Sequence, residues 1–109
     1  MQEITSTQQA DEVMQGEPAV LFKHNTTCPI SARAHQEMQR LQELHSDARI
    51  YLVDVHGQRE VSNHVEQATG VRHESPQALV VGGGKVAFDS AGFAITAEEI
   101  ATHLAGAGK

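Results

Sequence analysis

The chain has 109 residues, 39% of them hydrophobic, which is the length of one domain with apolar side chains enough for one core. Its 14 acidic residues against 8 Lys and Arg give a formal charge of -6, which repels the phosphate backbone of nucleic acids and anionic lipid and sets both aside as partners. Met1-Gln2-Glu3-Ile4-Thr5 holds neither a basic start nor an apolar run, so no signal peptide or membrane span is expected and the expected location is the cytoplasm.

Thr5 to Met14 reads as a short helix, with Thr/Ser caps before it, Ala10, Val13 and Met14 as its apolar contacts, and Gly16 and Pro18 beyond it. Ala19-Val20-Leu21-Phe22 is a continuous apolar run, the pattern of a central strand covered on both faces, and Lys23 and His24 mark its end. From Pro29 to about Leu44, Ile30, Ala34, Met38, Leu41 and Leu44 recur at three- and four-residue intervals. That spacing predicts a long amphipathic helix with proline in its first turn. Ile50 to Val55 is a second β-branched run, and Val61, Val65 and Ala68 form another helical stripe closed by Gly70. Ala78-Leu79-Val80-Val81 and Val86-Ala87-Phe88 flank Gly82-Gly83-Gly84-Lys85, a loop short enough for an antiparallel hairpin. Thr96-Ala97-Glu98-Glu99 fits a capping box that opens a last helix with Ile100, Ala101 and Leu104 inward.

The order is thus helix, βαβ, helix, β-hairpin, helix. A parallel βαβ half joined to a hairpin implies an α/β fold: a mixed four-stranded sheet with helices on both faces, a three-layer sandwich. One domain over residues 1–109 is expected, with only the Ala/Gly-rich tail from about 105 loose.

Cys28 is the only cysteine, so any disulfide it makes joins another molecule, and one thiol fits a reducing compartment. It falls just past the first core strand, at the start of the long helix, where backbone N–H groups and the helix dipole favour an anion. A thiolate is such an anion. Free cysteines are often simply buried small hydrophobes. Here Asn25, Thr26, Thr27 and Ser31 make a polar turn around the sulfur, and Pro29 begins the helix without needing a hydrogen-bond partner, which argues for a functional thiol. Pro76, in Glu74-Ser75-Pro76-Gln77, immediately precedes a strand, either as an ordinary strand-entry proline or as a cis proline that turns a backbone edge toward the thiol.

Seven histidines invite a metal reading, but His35, His45, His56, His64, His73 and His103 lack the close paired spacing of a zinc site and are expected on polar helix faces. His24, four residues before Cys28, and His73, three before Pro76, are placed to hold a thiolate electrostatically, with exposed rings of no role as the alternative. Lys23 is placed either to meet an anionic thiol ligand or to lie solvated. Gly82-Gly83-Gly84 precedes a strand and is no phosphate loop.

The element order, Thr27-Cys28-Pro29-Ile30-Ser31 and Ser75-Pro76 together resemble the thioredoxin and glutaredoxin superfamily. More narrowly, Phe22-Lys23-His24 through Thr27-Cys28-Pro29-Ile30-Ser31 is similar to the monothiol bacilliredoxins, general stress proteins with a TCPIS motif. The resemblance implies that Cys28 is the nucleophile, that Ser31 stands where dithiol members carry the resolving cysteine, and that Pro76 is a cis proline. Lys23, His24, Thr27, Pro29, Ser75 and Pro76 then line the substrate side. The chain lacks the tryptophan that most thioredoxins carry before the cysteine. The expected activity is thiol–disulfide exchange on S-thiolated client proteins, with a small thiol as co-substrate and no tightly bound cofactor. The resemblance suggests bacillithiol as that thiol. Ser31, unable to resolve the product, is expected to donate a hydrogen bond to the sulfur. Two alternatives come from other classes: an iron–sulfur module like the monothiol glutaredoxins, two chains and two small thiols sharing a cluster, and an adaptor with an inert thiol. Pro29, where cluster-binding relatives carry glycine, disfavours the first.

Overall fold

The computed structural model describes residues 1–107. In chain order the elements are β1 (Gln2–Glu3), α1 (Thr7–Gln15), β2 (Ala19–His24), α2 (Pro29–Leu44), β3 (Ile50–Asp54), α3 (Arg59–Thr69), β4 (Gln77–Gly82), β5 (Lys85–Ala91), a 3₁₀ turn (Gly92–Ala94) and α4 (Ala97–Ala107). The sheet runs in the order β1-β3-β2-β4-β5. β2 pairs in parallel with β3 and antiparallel with β4, so the mixed sheet and its helical flanks are as expected. The strand count differs: there are five, not four. Gln2 and Glu3 pair in parallel with Tyr51 and Leu52, and the Ile4 N–H reaches the Leu52 carbonyl at 2.9 Å. Both strand residues are exposed, so main-chain pairing alone defines β1, and such pairing leaves no hydrophobic period to read.

Alternation along β2 divides the core between the two faces of the sheet. Leu21 packs with Ile4, Val13, Met14, Val61, Val65 and Leu79 under α1 and α3, whereas Val20 and Phe22 pack with Ala34, Met38, Leu41 and Ile100 under α2 and α4. β2 also runs two residues beyond the expected apolar run, pairing Lys23 with Val53 and Gln77, and His24 with Asp54. This extension places Lys23 on the α1/α3 face and His24 on the opposite one.

The expected hairpin turns on Gly83 and Gly84, both at positive φ (58° and 78°), as a two-residue loop of the right twist requires. Their N–H groups donate to the carbonyls of Gly16 and Met14, tying the turn to the end of α1. β4 and β5 slip register at a bulge between Val80 and Val81. Three helical expectations shift. Leu44 is 57% exposed, because 16 residues at ~1.5 Å rise outrun a six-residue strand and α2 overhangs the sheet. Ala68 is exposed on the solvent side of the Val61/Val65 stripe. α4 continues through Ala105, Gly106 and Ala107, into the stretch expected to be loose; residues 108–109 lie outside the described residues. No helix among the described residues is long and apolar enough to cross a membrane.

Candidate active site

Cys28 is the N-cap of α2, a half-buried free thiol with extended backbone (φ -106°, ψ 123°). Its carbonyl already accepts from the Ala32 N–H at 3.0 Å, while its side chain forms no capping bond. Pro29 has no N–H, so the unclaimed first-turn donors are the amides of Ile30 and Ser31, at the positions an N-cap side chain ordinarily serves. A thiolate at Cys28 would act as that cap, at the positive end of a 16-residue helix. The turn before it is stiff: Asn25 Oδ1 accepts from the Thr27 N–H at 3.0 Å and the Thr27 hydroxyl at 2.8 Å, and the Cys28 N–H donates to the Asn25 carbonyl at 3.2 Å. Thr27 and Pro29 are exposed on either side of the thiol.

Ser31 departs from expectation. Its side chain is fully buried, and its hydroxyl lies 2.8 Å from His24 Nδ1 and accepts from the Asn25 N–H at 2.9 Å. Among the described residues it makes no hydrogen bond to the Cys28 sulfur. One turn of α2 puts residue 31 on the inner face, where the end of β2 supplies His24 and the chain reversal supplies the Asn25 amide. His24 in turn stacks on His35 (centroids 4.8 Å apart) and on Phe22 (5.4 Å). Burial first, then the neighbouring His35, hold the His24 ring below the usual imidazole range, against the opposing pull of Asp54. His35 escaped the sequence reading. The signal was its spacing, four residues after Ser31 and so on the same helix face.

Lys23 does not lie where a ligand could reach it. It is fully buried on the α3 side, and Nζ donates to the Ser62 carbonyl at 3.1 Å and to His73 Nδ1 at 3.2 Å. Burial lowers its pKa, partly offset by Glu66. The His73 ring is also held low, by desolvation and then by Lys23, while its backbone N–H donates to Glu66 Oε2. The paired lysine and imidazole hold the loop before β4 to the body of the sheet. Gln77 Nε2 donates to the Arg72 carbonyl at 2.9 Å across the same loop, and the Pro76 carbonyl accepts from Gly92 N–H at 3.0 Å. The Ser75–Pro76 bond is cis. Ser75 and Pro76 enter β4 one step past the Lys23/Gln77 pair, at the same end of the sheet as His24 and the Cys28 turn. Ser75 Oγ and Gln77 Oε1 are buried without a partner among the described residues. At this end Phe93, 66% exposed, lies under the Arg33 guanidinium, 5.7 Å from the ring centroid; nothing in the apolar pattern marks it. Among the described residues no three His, Cys, Asp or Glu side chains come together as metal ligands.

The Lys23 arrangement makes a stability test. A lysine whose folded-state pKa lies below its ordinary value costs stability below that folded value, and the cost fades as pH rises from it toward about 10.5. Lys23→Met removes the cost, and Ser62 Oγ, 3.3 Å from His73 Nδ1, remains to serve the ring. Urea midpoints should therefore favour the variant most at pH 7, with the difference shrinking by pH 10. A difference that stays constant across that range would show that burial of the charge is not what Lys23 costs.

A family model described as monothiol bacilliredoxin BrxC matches residues 2–100. The chain belongs to the monothiol bacilliredoxin family. This bacilliredoxin has the thioredoxin fold, and its family is one of thiol redox proteins. A solved structure assigned as an oxidoreductase with a thioredoxin fold superposes at a TM-score of 0.86, with 27% identity over 94% of this chain and 91% of that one. More distant likenesses show the fold alone. Thioredoxin from Malassezia sympodialis gives a TM-score of 0.77 at 18% identity, over 100% of this chain and 91% of that one. Mitochondrial thioredoxin 3 from Saccharomyces cerevisiae gives 0.74 at 13%, over 97% and 94%.

Proposed function

We propose that this bacilliredoxin removes a small thiol from S-thiolated proteins, with Cys28 as the attacking sulfur. The observation that carries the reading is the N-cap position of the one thiol, half-buried at the start of a 16-residue helix whose first-turn amides no side chain caps. The Cys28 thiolate attacks the small thiol's sulfur in the mixed disulfide; the S–S bond to the client's cysteine breaks, the client leaves as a thiolate, and the small thiol remains on Cys28 in a new disulfide. A second small-thiol thiolate then attacks that adduct, frees Cys28 and leaves as the symmetric small-molecule disulfide. No cysteine in the chain can perform this second step. The family description supports bacillithiol as the small thiol. Pro29 and Thr27 flank the sulfur, and the Ser75–Pro76 edge is proposed to receive the client's backbone.

A one-thiol enzyme has no internal exit from the adduct. With a bacillithiolated client and little free thiol, intact mass should show one small thiol per chain, and Cys28→Ala should show none and release no client thiol. Equal release by Cys28→Ala would overturn the reading.

A further inference from the structure

The Ser31 hydroxyl has one proton and two lone pairs. The Asn25 N–H occupies one lone pair in every protonation state. What remains is settled at the 2.8 Å contact with His24 Nδ1. When the ring is neutral with its proton on Nε2, the tautomer on which the inference depends, the buried hydroxyl donates to the bare Nδ1. When the ring is protonated, Nδ1–H must donate, both lone pairs of Ser31 are filled, and the hydroxyl proton is released. The acceptor it can then serve is a thiolate at position 28, three residues earlier on the helix.

We propose that His24 is a positioning residue that sets the direction of the Ser31 hydroxyl, so that protonation of His24 and formation of the Cys28 thiolate favour one another through Ser31. The inference rests on Cys28 being the reacting thiol. No electron moves: the thiol loses its proton to solvent, the ring takes one from solvent, and Ser31 exchanges one hydrogen-bond partner for another. The charged and titratable groups facing His24 are His35 from α2 and Asp54 from β3; Phe22 contributes only a neutral ring. A seryl hydroxyl at this place can thus support the thiolate without being bound to it at rest.

The test is the pH profile of iodoacetamide alkylation from pH 4 to 9, a window that reaches below the ordinary imidazole range, on wild type, Ser31→Ala, Ser31→Thr and His24→Phe. Wild type should show a shoulder on the acid limb where His24 protonates. Ser31→Ala should lose most of it and react about tenfold more slowly there, the scale of one charge-assisted hydrogen bond. Ser31→Thr should restore it. His24→Phe, which leaves the hydroxyl free at every pH, should give a single smooth titration. Side-chain NMR of His24 supplies the second readout: its titration should move when Cys28 is blocked as a methyl disulfide, and should move far less in Ser31→Ala. A shoulder unchanged in Ser31→Ala, or one kept in His24→Phe, would overturn the inference and show direct charge attraction or an unrelated group. Loss of client release by wild type, with the shoulder intact, would instead count against the proposed reaction alone.

Discussion

Oxidised Ser31→Cys should lose the small-thiol adduct and instead weigh about two mass units less than its reduced form, the signature of an internal disulfide. In a first helical turn, residues three apart have Cα atoms roughly 5 Å apart, inside the range of about 4.4–6.8 Å that a disulfide accepts. The introduced thiol would attack the adduct on Cys28, expel the small thiol and close the ring. The cost falls elsewhere. The Ser31 hydroxyl accepts from the Asn25 N–H and meets His24, and a thiol serves both poorly, so the reduced variant should be about 1–3 kcal/mol less stable than wild type. Intact mass with and without reductant, beside urea denaturation of the reduced forms, checks both parts. Should the variant keep its adduct and form no bond between positions 28 and 31, the inner face of α2 would be closed to the Cys28 sulfur.

Phe22→Ala should cost about 3–5 kcal/mol, the usual penalty for emptying a fully buried aromatic site. Phe22 has no exposed surface and packs among Ala34, Met38, Leu41 and Ala78 between the sheet and α2. It also forms the floor on which His24 and His35 stack. Stability and the ring geometry should therefore fail together, with the His24 resonance in NMR losing its ring-current shift as the urea midpoint drops. A milder Phe22→Leu, which keeps most of the volume but no ring, separates the two: a small loss of stability with the same loss of ring-current shift is expected. If the Leu variant keeps the shift, the stack does not depend on Phe22.

How far the sequence could be read depended on whether a residue's task leaves a local pattern. The α2 stripe, the glycine turn and the Thr96 capping box did, and Glu99 N–H indeed meets Thr96 Oγ1 at 3.3 Å. The Thr27-Cys28-Pro29-Ile30-Ser31 stretch located the thiol at a helix start for the same reason. Other tasks depend on strand parity and register between distant segments. Lys23 looked like a polar strand end. Only the pairing of β2 with Val53 and Gln77 carries the strand past it and turns its side chain into the interior. Ser31 was legible as the residue replacing a second cysteine, but its partner was not, since His24 lies on another element and faces it only because β2 continues two residues further. His35, without the paired spacing of a metal ligand, is expected on a polar helix face, and nothing within its own helix but its spacing from Ser31 marks it otherwise. Its neighbours are two other rings supplied by β2.

The slip of register between Val80 and Val81 has a consequence at the outer margin of the sheet. β5 has only one paired neighbour, β4, and its other edge offers free backbone donors and acceptors to any passing extended chain. Lys85 and Asp89 project from that strand, and the bulge bends its path away from a flat template. Both features discourage edge-to-edge stacking with a second copy, a form of protection against fibril growth. Lys85→Val with Asp89→Val, which removes the charges and leaves the bulge, would give this margin a run of β-branched and apolar side chains, the surface on which intermolecular sheets begin, with only the bend of the strand left to oppose it.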